Sequence, residues 1–205
     1  KAGDVVRLAR GSVFTQQSLY LPSAAGTASA PIIIEAYGTG ELPTISDPRA
    51  LWNKSEKFAS IYIGGSYINV LDLRIRNAGA VSGVVLDNFS HHNVIGGIEI
   101  DAASTGIDLG GEYQKILSNY FHDIGSKGGS SGIGINMVGK HFEIAWNRFV
   151  NCVVNPGTAN EDGNAIEFFN YRSDVGYAYV SEDISIHHNF VDRCLLFMES
   201  YGIVK

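Results

Sequence analysis

Residues 116–124 read Ile-Leu-Ser-Asn-Tyr-Phe-His-Asp-Ile, and residues 144–152 repeat the arrangement as Ile-Ala-Trp-Asn-Arg-Phe-Val-Asn-Cys. A third copy follows at 186–194, and two earlier copies occupy 70–78 and 95–103. In every copy an aliphatic residue is followed five positions later by an Ile, Val or Phe, and three positions after that by a small or apolar residue. Five copies in register indicate an internal structural repeat.

Between the copies lie second short runs with the alternation of a strand, such as Gly106-Ile-Asp-Leu and Gly132-Ile-Gly-Ile. Successive middle positions, at residues 75, 100, 121, 149 and 191, are 25, 21, 28 and 42 residues apart. Constant strands joined by variable loops, without helical periodicity, predict a solenoid. Parallel stacking of the copies pairs the backbone groups and buries one apolar column per strand. We therefore predict an all-β parallel β-helix of about six or seven coils, as a single domain over residues 1–205.

Two further columns of the repeat contain residues of one type on successive copies, asparagine in one and cysteine in the other. Asn119, Asn147 and Asn189 stand two positions before a middle position, and a stacked row of Asn amides satisfies backbone groups at a bend, so we expect a structural role. Cys152 and Cys194 share a column in which one strand spacing would fit a disulfide. Small or apolar residues fill that column in earlier copies, which favours a pair of buried thiols over a disulfide.

Composition excludes several classes of function. The chain has 15 Lys and Arg against 21 Asp and Glu, a net charge of -6, which disfavours a sequence-independent grip on nucleic acid phosphates. Its apolar runs are far shorter than the roughly 20 residues of a membrane span. We expect no nucleic-acid partner, no membrane span and a monomer.

The amino-terminal stretch contains Ala2-Gly-Asp-Val-Val-Arg-Leu-Ala-Arg-Gly and later Ala30-Pro-Ile-Ile-Ile-Glu-Ala-Tyr-Gly-Thr-Gly. These segments resemble the first coils of right-handed parallel β-helix proteins of the pectate lyase-like superfamily, and the later Asn-x-Phe turns fit the same family. The resemblance covers nearly the whole chain. It implies a right-handed coil of three sheets and a secreted or cell-surface protein that acts on acidic or neutral polysaccharides.

Members of this superfamily usually carry a cap before the Ala-Gly-Asp segment and further coils or a cap at the carboxyl end. Neither feature is visible in the sequence, and solenoids need polar caps. We therefore expect the chain to be truncated at both ends, as part of a longer protein that contains further site residues.

The longest insertions predict where a ligand binds, because long loops beside an exposed strand face form a groove for an extended polymer. They flank the strand row of Ile133 and Ile166 and comprise Gly125–Ser131, Val153–Gly163 and Asn170–Ser181. We place the functional groove on the outer face of that row.

Alternation along this row turns Asp108, Gly134 and Glu167 outward on successive coils. The two carboxylates are then two strand spacings apart, about 9.6 Å, close to the roughly 6.5–9.5 Å of an inverting glycosidase. We predict Asp108 and Glu167 as the catalytic acid and base of a hydrolase. Outward carboxylates that are simply solvated are the alternative.

A polysaccharide lyase is the second candidate. It needs a base for the proton beside a uronate carboxylate, and a cation or Arg that neutralises that carboxylate. Glu161, Asp162 and Asp174, near Glu167, offer the oxygen ligands that Ca²⁺ prefers, although no local spacing identifies a calcium site. The expected cofactor is therefore Ca²⁺ or none. The candidates for the base or the carboxylate clamp are Lys127, Lys140, His141 and Arg172. The residues predicted to bind substrate are Lys127, Asn136, Lys140, Tyr171 and Arg172.

Hydrolysis is preferred over elimination because the carboxylate pair has a spacing argument and the lyase base has none. Uronate epimerisation would share the chemistry of the lyase without cutting the polymer. A non-catalytic solenoid, such as an adhesin or polysaccharide-binding module, is the alternative from another class.

Overall fold

The computed structural model describes residues 1–46, 59–76, 82–125, 132–153, 163–169, 171–172, 177–178 and 180–201. These residues form 23 short strands, numbered β1 to β23 in chain order, and no helix. A helix long and apolar enough to cross a membrane is accordingly not found in the described ranges.

Three parallel sheets, here called A, B and C, contain seven strands each. Sheet A consists of β1 (Val5–Ala9), β4 (Ile32–Tyr37), β7 (Ile68–Leu71), β10 (Val94–Gly96), β13 (Lys115–Leu117), β16 (Glu143–Ala145) and β21 (Ser185–His187). Sheet B consists of β2 (Val13–Thr15), β5 (Thr44–Ser46), β8 (Arg74–Arg76), β11 (Glu99–Asp101), β14 (Tyr120–His122), β17 (Arg148–Val150) and β22 (Phe190–Asp192). Sheet C consists of β3 (Leu19–Leu21), β6 (Ala59–Ile63), β9 (Ser82–Leu86), β12 (Thr105–Leu109), β15 (Ile133–Met137), β18 (Asn164–Phe169) and β23 (Leu196–Tyr201). The short strands β19 (Tyr171–Arg172) and β20 (Tyr177–Ala178) pair antiparallel after β18.

The chain passes through sheets A, B and C in turn and then pairs each strand with the corresponding strand of the next coil. The fold is a right-handed parallel β-helix of seven coils. Seven strands at the usual spacing extend about 30 Å along the axis. The predicted fold and number of coils are confirmed.

The repeat positions recognised in the sequence form the inner columns of the solenoid. In sheet A the partners in order are Val70, Ile95, Ile116, Ile144 and Ile186. In sheet B they are Ile75, Ile100, Phe121, Phe149 and Val191. Phe121 and Phe149 are fully buried and stack with ring centroids 4.7 Å apart. Burial of these columns supplies the main driving force for stacking the coils.

Single residues in the left-handed backbone region turn the chain at the corners. Before sheet A, Tyr67, His92, Tyr113 and His141 have φ between 54° and 59°. A single left-handed residue bends the chain without lengthening the corner. Because the residues lie on successive coils, their rings stack in one row, with centroid distances of 4.8, 4.6 and 4.4 Å.

Asparagine amides join the coils at the corner between sheets A and B. The amide nitrogen of Asn147 donates to the backbone oxygen of Ile116 at 2.8 Å and to Oδ1 of Asn189 at 3.0 Å. Its Oδ1 accepts the backbone N–H of Asn119 at 2.9 Å. Asn119 and Asn147 are each 1% exposed. The predicted structural role of the Asn column is confirmed.

The two cysteines lie on adjacent coils and are free thiols, as the small residues of their column favoured. Cys152 is buried and Cys194 is partly buried. A hydrogen bond between the two thiols lowers the pKa of Cys194 to about 7 and raises that of Cys152.

Candidate functional site

One column of side chains runs along the outer face of sheet C and is here called the outer column. Successive cross-strand partners in it are Tyr20, Tyr62, Val85, Asp108, Asn136, Glu167 and Glu199. The residues just before Asp108, Asn136 and Glu167 are fully buried, namely Ile107, Ile135 and Ile166, whereas Met198, just before Glu199 in the last strand, is 46% exposed. Strand alternation therefore directs the outer column away from the core.

Asp108 and Glu167 lie in this column with a single strand between them, so their strands are two spacings apart, about 9.6 Å. The residue between them is Asn136, and the prediction of Gly134 there was wrong. A Cβ atom on Gly134 would lie 2.6 Å from Cδ1 of the core ring Phe149. Gly134 therefore does not leave an open space between the two carboxylates.

Donors on both neighbouring strands hold the carboxylate of Asp108. Ser82 donates its hydroxyl to Oδ2 of Asp108, and Asn136 donates its amide to Oδ1 at 3.1 Å. Asp108 is partly exposed. Both oxygens of the Asp108 carboxylate therefore accept hydrogen bonds from neighbouring coils.

Glu167 is buried although it lies on an outer face, with 3% of its surface exposed. The amide nitrogen of the fully buried Asn164 donates to Oε2 of Glu167 at 3.2 Å and to Oε2 of Glu199 at 2.6 Å. Glu199 is the cross-strand partner of Glu167. One amide group therefore ties together two glutamates on adjacent coils.

Two buried amide oxygens of the site lack a hydrogen-bond partner among the described residues. They are Oδ1 of Asn136 and Oδ1 of Asn164. Buried acceptors without a partner are uncommon in folded proteins. Together with the carboxylates of Asp108, Glu167 and Glu199, they make this part of the outer column rich in oxygen acceptors.

An aromatic surface continues the outer column toward the amino-terminal coils. Tyr20 stacks on Tyr62 with centroids 5.0 Å apart, and Tyr20 is 63% exposed. Tyr62 donates its hydroxyl to Oδ2 of Asp87 at 2.6 Å. Burial, and then this hydrogen bond, raise the pKa of Tyr62 above its usual range, so its hydroxyl stays protonated.

Lys140 and His141 have partners at the corner toward sheet A. The Nζ atom of Lys140 lies 3.1 Å from Oε2 of Glu182, and Nδ1 of His141 lies 3.1 Å from Oδ2 of Asp183. Neither contacts Asp108 or Glu167 among the interactions of the described residues. Both side chains therefore already have partners in this structure.

The remaining predicted residues are placed only in part. Tyr171 and Arg172 form β19, which begins two residues after the end of β18, the strand that contains Glu167. Only the backbone of these two residues is described. Lys127, Glu161, Asp162 and Asp174 lie outside the described residues. Within the described ranges, no group of three or more His, Cys, Asp or Glu side chains could hold a metal ion.

Sequence reasoning missed Glu199, Asn164 and Ser82. Glu199 had a signal, because pairing Met198 with Ile166 as inward residues places Glu199 beside Glu167. Asn164 had none, since its contact with both glutamates depends on the start of β18. Ser82 likewise contacts Asp108 from a strand 26 residues earlier.

No family model and no curated protein matches the chain. Among solved structures it is similar to an alginate lyase from Paenibacillus sp. str. FPU-7, with 23% identity over 90% of this chain and a TM-score of 0.63. It is also similar to a GH136 lacto-N-biosidase from Eubacterium ramulus, with 15% identity over 93% and a TM-score of 0.51. A rhamnogalacturonan lyase is similar as well, with 10% identity over 98% of this chain and a TM-score of 0.53.

These proteins share one fold with the chain. Identities this low establish the architecture alone, which agrees with the parallel β-helix described above. The chain spans 59%, 50% and 60% of the lengths of the three structures, in the order given.

Proposed function

We propose that this chain carries the active site of a secreted or cell-surface enzyme that cleaves a polysaccharide along the outer column of sheet C. The observation that carries the proposal is the hydrogen-bonded row Asp108, Asn136, Glu167 and Glu199 on an outer sheet face, in which Glu167 is buried. Solvated surface carboxylates would not be held in this way. The names of the three similar structures, two lyases and a biosidase, support a carbohydrate substrate.

Hydrolysis is the reaction that this row supports best. Asp108, held by two donors, would take a proton from the attacking water. Glu167, which is buried beside a second glutamate, would give a proton to the departing glycosidic oxygen. Two strand spacings, about 9.6 Å, are close to the upper end of the range of about 6.5–9.5 Å at which two carboxyl groups leave room for water beside the sugar ring, as inversion requires.

Elimination on a uronate polymer is the second candidate, and the two amide oxygens without partners favour it. Hard cations such as Ca²⁺ prefer carboxylate and amide oxygens, so Glu167, Glu199, Asn136 and Asn164 fit as ligands. A bound Ca²⁺ would neutralise the uronate carboxylate. Of the four residues predicted for the base, Lys140 and His141 have other partners, so the base would come from Lys127 or Arg172.

The two reactions are separated by their products. The chain would be incubated with neutral and uronate polysaccharides, with and without Ca²⁺, and the fragments analysed by mass spectrometry. Fragments that have gained water support hydrolysis, whereas unsaturated fragments that need Ca²⁺ support elimination. Absence of fragments from every polymer would contradict the proposed enzyme and favour a binding solenoid.

The residue roles are tested by Asp108→Asn and Glu167→Gln. For hydrolysis, each should lower the cleavage rate about a hundredfold or more, because a general acid or base is removed. The matched control is Glu143→Gln, which neutralises a carboxylate paired with Lys115 on sheet A. A normal rate in both site variants would overturn the assignment.

A further inference from the structure

The outer face of sheet B holds a second set of side chains, away from the outer column of sheet C. Tyr120, Arg148 and Phe190 are direct cross-strand partners on three successive coils. The guanidinium carbon of Arg148 lies 5.0 Å from the ring centroid of Tyr120 and 5.6 Å from that of Phe190. Both distances are within the roughly 6 Å typical of a cation–π contact.

Among the described residues, Arg148 differs from the other arginines of this sheet in having no ionic partner. Arg74 lies 3.1 Å from Glu99 and 3.1 Å from Asp101, and Arg76 lies 3.6 Å from Asp101. For Arg148, no ion pair or side-chain hydrogen bond is found among residues that the structure describes. Its N–H donors are therefore not used by a carboxylate of the described protein.

The surroundings of Arg148 restrict its motion. Tyr120 stacks on His122 with centroids 4.5 Å apart. His122 in turn contacts Glu99 at 3.1 Å and Asp123 at 2.8 Å. An aromatic ring held by these contacts limits the conformations of the guanidinium beside it, so less side-chain entropy is lost when a ligand binds.

This arrangement fits a sugar that bears a carboxylate. A guanidinium is a planar fork of N–H donors that matches a carboxylate in two parallel hydrogen bonds. Beside it, Phe190 is 55% exposed and presents an apolar surface of the kind that packs on the C–H face of a sugar ring. Phosphate groups would use the guanidinium but not the exposed ring.

We propose that Tyr120, Arg148 and Phe190 form a second binding site, for a uronate residue of an acidic polysaccharide. The choice of a sugar as ligand rests on the proposed function, whereas the requirement for an anion rests on Arg148 itself. A polymer held on sheet B raises the local concentration of cleavable segments at sheet C of the same molecule. The site thus binds substrate without taking part in the reaction.

The test is a calorimetric and NMR titration with a trimer of galacturonate and with its carboxyl-reduced, neutral form. It uses the chain with Asp108→Asn and Glu167→Gln, so that no turnover occurs. The acidic trimer should shift the Nε–H signal of Arg148, and Arg148→Gln should weaken its affinity at this site at least tenfold. The neutral trimer should not shift that signal.

The matched control is Arg76→Gln, which removes the same charge from the same sheet at an ion-paired position and should leave the affinity unchanged. Phe190→Ala should weaken binding of the trimer, which a purely ionic contact would not show. If Arg148→Gln and the parent chain bound the acidic trimer with equal affinity, the proposed binding site would be overturned. A second probe is hexaglutamate, an acidic peptide without sugar rings. The uronate assignment would be overturned if the neutral trimer bound as tightly as the acidic one, or if only hexaglutamate shifted the Nε–H signal of Arg148.

Failure of this site can be told apart from failure of the proposed function. If the chain binds the trimer at Arg148 but cleaves no polymer, the binding site is supported and the proposed enzymatic function is overturned. If the parent chain cleaves polymer but Arg148→Gln binds the trimer normally, the enzymatic function is supported and the binding site is overturned.

Discussion

At the scale of single residues, the absence of a side chain at Gly134 allows a close approach of neighbouring atoms. A Cβ atom there would lie 2.6 Å from the backbone oxygen of Ala165 and 2.6 Å from Cδ1 of Phe149. Gly134→Ala should therefore lower the free energy of unfolding by about 1–3 kcal/mol, as overpacking does. Urea denaturation measures this loss.

The control is Gly96→Ala, whose Cβ would meet a flexible side-chain atom of Leu71 at 3.2 Å and the backbone oxygen of Leu117 at 3.6 Å. Its effect should be clearly smaller. Equal losses in the two variants would show that the loss of glycine, rather than the contact with Phe149, sets the cost.

The thiols give a second prediction at this scale. Since the hydrogen bond with Cys152 lowers the pKa of Cys194 to about 7, the Cys194 thiolate forms as the pH rises through 7. Alkylation by iodoacetamide should follow the same midpoint at Cys194. Cys152, buried and with a raised pKa, should react only after unfolding.

Peptide mapping by mass spectrometry reads the two sites separately. Cys152→Ser tests the cause, because a serine in place of the thiol should move the midpoint of Cys194. A midpoint near the ordinary thiol value of about 8.5 in the parent chain would contradict the coupling.

At the scale of structural elements, the Asn ladder joins three coils through one corner. Asn147→Ala would leave the backbone N–H of Asn119 and the backbone oxygen of Ile116 without their partners. Since each buried group left unpaired costs about 1–3 kcal/mol, unfolding free energy should fall by about 2–4 kcal/mol. Guanidinium denaturation measures the change.

The comparison variant is Asn151→Ala, which removes an exposed hydrogen bond to Asp123. It should cost less than about 1 kcal/mol. A similar loss in both variants would mean that burial of the ladder adds nothing to its stability.

The elements also show how far sequence reasoning reaches. The inner columns were predictable because burial restricts positions such as Ile100 and Phe121 to apolar residues in a constant register. On sheet C the same reasoning identified Asp108 and Glu167 but misaligned the strand between them. Gly134 lies close to core ring Phe149, so simple alternation does not hold at the start of that strand.

The other residues of the candidate site could not be predicted from the sequence. Residues on an outer face are not restricted to apolar types, so Glu199 and Asn136 carry no pattern that burial imposes. Asn164 acts through a hydrogen bond to a strand 35 residues later. Such contacts depend on the register of coils that variable loops separate.

At the scale of the whole molecule, stability should vary along the axis. Strands of the central coils have partners on both sides, whereas β1 and β22 each pair on one side. In the inward-facing column of sheet B, Phe14 and Val191 of the end coils are partly exposed, while Ile100 of a central coil is fully buried. Amides of β11 and β14 should therefore exchange at least about tenfold more slowly than those of β1 and β22.

Native-state hydrogen exchange followed by NMR measures this gradient in the 205-residue chain. Exchange through one common opening at every strand would contradict it and would show that the seven coils unfold together.

The spacing of the coils has a consequence for how such a molecule can change in evolution. Cross-strand partners in sheet B are 21 to 42 residues apart, and each coil pairs only with the coils beside it. Under the function proposed above, duplication of one coil would lengthen the tract of sugar units that the outer faces can accommodate, and would leave the pairs on either side unaltered. On that proposal, the size of the polymer segment recognised can be inherited separately from the chemistry performed on it.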